Sequence, residues 1–188
     1  MRLVCAMLLA ALANAAAPVT LVLQFENAYS PESLDAMKRE VASIVAGSGI
    51  QVDWRMLSEV QPAETFENLV VVRFKGACHM EPVPYLMDER GYYAFTHVSD
   101  GGVLPFSEVE CDKIGNSIRP LMSKSQWRQR DTVLGRALGR VLAHELYHML
   151  AKSQQHAESG VTRSALSPSQ LISDKLRMTR ADLAKLRQ

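Results

Sequence analysis

Leucine recurs at every fourth position, Leu134, Leu138, Leu142 and Leu146, within a run from about Val133 to Lys152. Residues four apart stand one turn apart on one helix face, so the run predicts a long amphipathic helix buried along its leucine side. Asp131-Thr132 offers its N-cap. Opposite the stripe stand His144 and His148, with Ala137 and Val141 on their side, small enough to floor a cleft or to serve as ordinary core. Gly135 and Gly139 weaken the helix and imply close packing.

The preceding sequence supplies a sheet for that helix to cover. Val19 to Phe25 alternates as a strand, Ser30-Pro31-Glu32-Ser33 starts a helix through Leu34, Met37, Val41 and Ile44, and Gly47 and Gly49 end it. Ile50 to Trp54 and Asn68 to Phe74 read as further strands. The order βαβ followed by β implies a twisted sheet with at least one parallel pair. Residues 77–90, with Pro82 and Pro84, read as irregular; Tyr92 to Val98 reads as a strand ending at Ser99-Asp100-Gly101-Gly102. A short strand is expected near Phe106 to Cys111, a polar stretch with Pro120 and Trp127 before the long helix, and a last helix from Ser167 to Leu176. The fold class is α+β, with one domain over residues 18–188.

Residues 1–17 have Arg2, an apolar run from Leu3 to Leu12 and small residues before Pro18, the layout of a secretory signal peptide. The run is too short to span a membrane, and Cys5 has no lipobox before it, so no stable membrane insertion is expected. The chain is therefore expected to be secreted or periplasmic and to act as a monomer. Of 21 basic residues Arg2 leaves with the leader, which makes basic and acidic residues equal in number and removes any charge excess for nucleic acid. Cys78 and Cys111 then form an even pair, read as a disulfide in an oxidising compartment. Cys78 with His79 as ligands of a second metal is the competing reading.

His144 and His148 can present two imidazoles to one ion, and Glu145, about 100° round the helix, can take a proton from water beside it. His156 is the expected third ligand, with Glu158 and Asp174 as alternatives. The implied cofactor is Zn2+, which lowers the pKa of bound water and polarises a carbonyl.

His144-Glu145-Leu146-Tyr147-His148 followed by His156 resembles the zincins, and more narrowly the metzincin clan with its motif H-E-x-x-H-x-x-G-x-x-H. The resemblance implies a zincin-like domain: a mixed sheet, an active-site helix, a small C-terminal helical subdomain and an edge strand, here Tyr92 to Val98, that binds extended substrate. It implies a zinc metalloendopeptidase acting on a peptide or protein, with His144, His148 and His156 as ligands and Glu145 as general base. It also suggests a methionine turn under the metal, for which Met178 is placed, while Tyr147 either assists an oxyanion or packs. The chain departs from the clan in its spacing, since eight positions separate His156 from His148 and none between them is glycine. His97 reads as structural. The rival readings are an inactive zincin-like binding protein and a secreted domain without metal.

Overall fold

The alternating segment at 19–25 becomes an inner strand, β1 (Val19–Phe25), of a five-stranded sheet in the computed structural model, which describes residues 18–81 and 91–186. β2 (Val52–Met56) and β3 (Leu69–Lys75) flank β1 in parallel, and β5 (Gly102–Glu110) pairs parallel with β3. β4 (Ala94–Ser99) runs antiparallel to β5 and forms one edge, giving the order β2-β1-β3-β5-β4. The segments read as leader and those holding Pro82 and Pro84 lie outside the described residues.

One face of the sheet is apolar: Leu21 and Leu23 stand beside Val70 and Val72, with Phe74 beside Val109. On the other face Arg73 and Lys75 pair with Glu108 and Glu110 at 3.4–3.6 Å. Two helices cover the apolar face. Ser30 caps α1 (Pro31–Val45), its hydroxyl accepting from the Ser33 N–H at 3.1 Å, with proline at the first turn where no N–H is needed. α1 sends Met37, Val41 and Ile44 into the core.

The second covering helix is the leucine run. After α2 (Cys111–Ile118) and α3 (Lys124–Arg128), α4 (Arg130–Leu150) crosses the core with all four stripe leucines buried. Gly135 and Gly139 sit where α4 meets α1. A methyl at Gly135 would collide with the Ser33 carbonyl oxygen and lie 2.8 Å from Cβ of Ala36; one at Gly139 would lie 2.8 Å from the Met37 oxygen. Helix propensity alone favours Gly135→Ala by roughly 1 kcal/mol. Backbone cannot yield as a side chain can, so overpacking outweighs propensity. Gly135→Ala is expected to lower unfolding stability by about 1–3 kcal/mol, read as a fall in urea midpoint at unchanged slope; a raised midpoint would contradict this packing.

Cys78 and Cys111 are disulfide-bonded, both fully buried, with Cα atoms 5.0 Å apart. Closing a loop of sequence separation 33 stabilises the fold by about 4 kcal/mol in the chain-entropy account. The disulfide takes up the Cys78 sulfur, and His79 Nε2 lies 2.6 Å from Glu81, so the Cys78–His79 metal reading is set aside.

Several boundaries differ from expectation. α4 begins at Arg130 rather than after an Asp131-Thr132 cap, because Asp131 Oδ1 accepts instead from the Met80 N–H, 2.6 Å away. β5 starts at Gly102, and Cys111 opens α2 rather than ending a strand. The polar stretch before α4 holds α2 and α3. The last expected helix shortens to α5 (Pro168–Ile172), because Ser173 is extended, and α6 (Arg180–Lys185) follows. Leu171, Ile172, Met178 and Leu186 of this C-terminal segment join the hydrophobic core.

Candidate metal centre

α4 places His144 and His148 one turn apart, and the following loop returns His156 to them. The three rings offer one nitrogen each within 4.8 Å of one another, and among the described residues this is the group that could hold a metal ion. His144 Nδ1 lies 2.8 Å from the Val161 carbonyl oxygen, and His148 Nδ1 lies 2.6 Å from that of Ser153. A carbonyl only accepts, so each ring carries its proton on Nδ1 and leaves a bare lone pair on Nε2. The two Nε2 atoms face each other at 2.9 Å. Burial lowers the pKa of both rings, against the opposing pull of those carbonyls, and so favours their neutral forms. Two lone pairs in contact repel unless a cation lies between them, and carbonyl-oriented imidazoles are the usual ligand arrangement.

The turn that brings His156 back uses no glycine. The Ser153 N–H donates to the His148 carbonyl at 3.1 Å and that of Ala151 donates to Tyr147, closing the helix while Lys152 adopts φ +46°. This is the glycine-type helix end with lysine in the left-handed position. A second turn is made by Gly160, at φ +82°, where a Cβ would lie 2.6 Å from the Arg177 oxygen. It brings the Val161 N–H to Arg177 at 3.0 Å and aims the Val161 carbonyl at His144. The Ala157 N–H donates to the Thr162 carbonyl at 3.0 Å, fixing the backbone beside exposed His156.

Glu145 is only 5% exposed and accepts at Oε2 from the Thr96 hydroxyl of β4 at 2.7 Å. Burial raises its pKa above the usual carboxylate range, while Thr96, the neighbouring His148 and Ser107 act in the opposite direction. The cleft over this helix has two halves, of about 280 and 320 Å³, which share Tyr92, Ala94, His144, Glu145 and Ser164. One half continues past Thr96, Val98 and His156, the other past Val141 to Leu166. β4 forms one wall.

Glu158 and Asp174, the alternative third ligands, are exposed and outside the histidine group. Tyr147 is 1% exposed, and its hydroxyl bonds Lys185 Nζ at 3.1 Å, so it packs rather than facing the cleft. Met178 is buried next to Arg177, just before α6. His97 lies between the Phe95 and Phe106 rings, at centroid distances of 4.8 and 4.6 Å. Sequence reasoning missed Thr96 and Ser107, register partners across β4 and β5, and the two carbonyls that orient the histidines. The Ala94, Thr96, Val98 alternation could have put Thr96 on the helix side of its strand, although nothing local marks its partner.

The chain matches no family model and no curated protein.

Proposed function

We propose that this chain is an exported zinc metalloendopeptidase acting on peptides or proteins as a monomer. The observation that carries the reading is the pair of Nε2 atoms facing each other at 2.9 Å, joined by His156 and set beside a buried carboxylate in a two-sided cleft. Three imidazoles suit a borderline cation such as zinc better than calcium or magnesium. No fourth protein ligand belongs to the group among the described residues, as a catalytic rather than a structural site requires.

His144, His148 and His156 would hold the ion, which when bound supplies Lewis acidity to water and to the scissile carbonyl. Glu145 takes the proton of the attacking water and delivers it to the departing amine. β4 is a sheet edge, so its outward backbone groups are free of sheet partners and suit an extended chain adding alongside. The cleft continues on both sides of His144 and Glu145, and no lysine or arginine lines it among the described residues, which favours internal bonds over recognition of a terminal carboxylate. The buried disulfide fits an oxidising compartment, and among the described residues no helix is long and apolar enough to cross a membrane.

The test is hydrolysis of an unstructured protein such as casein by the zinc-loaded domain. Cleavage at internal bonds, lost on dialysis against a chelator and restored by one equivalent of zinc, is the expected result. A zinc-loaded domain that cleaves neither casein nor a mixed peptide library would overturn the reading.

A further inference from the structure

Glu145 sits under β4 rather than free in the cleft, and the strand holds it by a specific contact. Thr96 and Ser107 are directly paired across β4 and β5, so both hydroxyls stand on the face that meets α4. Their protons are committed differently. Ser107 Oγ–H donates to the Phe95 carbonyl at 3.0 Å, whereas Thr96 Oγ1–H donates to Glu145 Oε2 at 2.7 Å. A hydroxyl has one proton to give. Thr96 is thus the donor assigned to the carboxylate, with Ser107 a secondary neighbour.

The pairing of β4 with β5 breaks just past this point. Thr96 opposes Ser107, yet Val98 opposes Val103, so β5 carries extra residues, Pro105 among them, over a short length of β4. Such irregularities commonly lie next to functional sites and re-aim side chains. Here the regular pairing ends at the residue whose hydroxyl reaches the carboxylate.

We infer that Thr96 is a positioning residue: its hydroxyl fixes one oxygen of Glu145 against β4, so that the other is presented to the cleft beside the three histidines. The inference rests on the reading of Glu145 as the base. The hydroxyl touches no reacting atom, and its contribution is to hold the carboxylate in one orientation. Losing such a constraint misplaces a catalytic group without removing it, which affects turnover rather than substrate binding.

The test compares Thr96→Val, which keeps the side-chain shape and removes the donor, with Thr96→Ser, which keeps the donor, in the full zinc-loaded chain. Thr96→Val is expected to lower kcat by about 10- to 100-fold with KM within about twofold and zinc content unchanged. Thr96→Ser is expected to recover most of the lost kcat. A second readout needs no activity: in metal-free protein, the thermal shifts of Thr96→Val and Glu145→Ala should not add in the double variant, because both remove the same contact. Unchanged kcat in Thr96→Val, loss that Thr96→Ser does not recover, or additive thermal shifts would each overturn the inference. Failure of the underlying reading looks different, since the parent would then hydrolyse nothing or Glu145→Gln would stay active.

Discussion

Glu145→Gln is expected to keep one zinc per chain and a folded domain while hydrolysis falls by roughly 10²–10⁴-fold, the range that a positioned general base contributes. The amide has nearly the same shape and can still accept from Thr96 at its carbonyl oxygen, so the 2.7 Å contact to β4 need not be lost. What it cannot do is take a proton from water. The comparison therefore separates the chemistry of the carboxylate from its packing, and zinc content measured on the same samples shows that the ligands are untouched. Activity within tenfold of the parent would remove Glu145 from the mechanism.

The largest effect on stability is expected at Arg140, one turn before His144. Its guanidinium is 1% exposed and binds three elements together: Nε donates to Glu40 of α1 at 2.7 Å, and Nη1 donates to the Gln170 carbonyl at 2.6 Å and to Ser173 Oγ at 3.1 Å. Removing the guanidinium leaves the Gln170 carbonyl and a Glu40 carboxylate that is only 19% exposed without their donor, at a cost toward the low end of about 3–5 kcal/mol. For a domain of this size that corresponds to roughly 10 °C or more in Tm. Arg140→Met should produce that fall. Adding Glu40→Met should recover a large part of it, because two apolar side chains no longer strand a charge. The contact also reaches the cleft, since α5 follows directly on the Ser164–Leu166 wall that Arg140 helps to anchor. A Tm change of less than about 3 °C would show that the guanidinium is not a structural tie.

The elements read most readily from sequence were those whose signals are local. The leucine period gave α4, Ser30-Pro31 gave the start of α1, and the glycines at 135 and 139 marked a contact that the α1–α4 packing explains. Where a residue's partner is distant, the local signal misled. Asp131 looks like a helix cap, but its carboxylate serves the Met80 N–H across 51 positions. The strand expected near Phe106 begins earlier, at Gly102, and Pro105 lies within it; the ladder to β3 begins only at Phe106, so the missing N–H breaks no bond to β3. Ser123-x-x-Gln126 is a legible capping box within the polar stretch, and it starts α3.

The site was legible in part for the same reason. His144, Glu145 and His148 share one helix, so spacing alone sets their relation. His156 could be named as a residue type, but its return depends on Lys152 taking a left-handed conformation that lysine rarely adopts, and on Gly160, which lies beyond the third histidine. Thr96 and the carbonyls of Val161 and Ser153 were not legible, because their roles come from tertiary register and backbone direction rather than from side-chain type.

The central claim is that three histidines bind one zinc, and it is tested most directly by the metal content of the purified domain spanning residues 18–188 beside His156→Ala under identical dialysis. The account predicts one zinc per chain in the parent and its loss or marked weakening in the variant. A parent that holds no zinc after reloading, or a variant that holds it as tightly as the parent, would contradict the account.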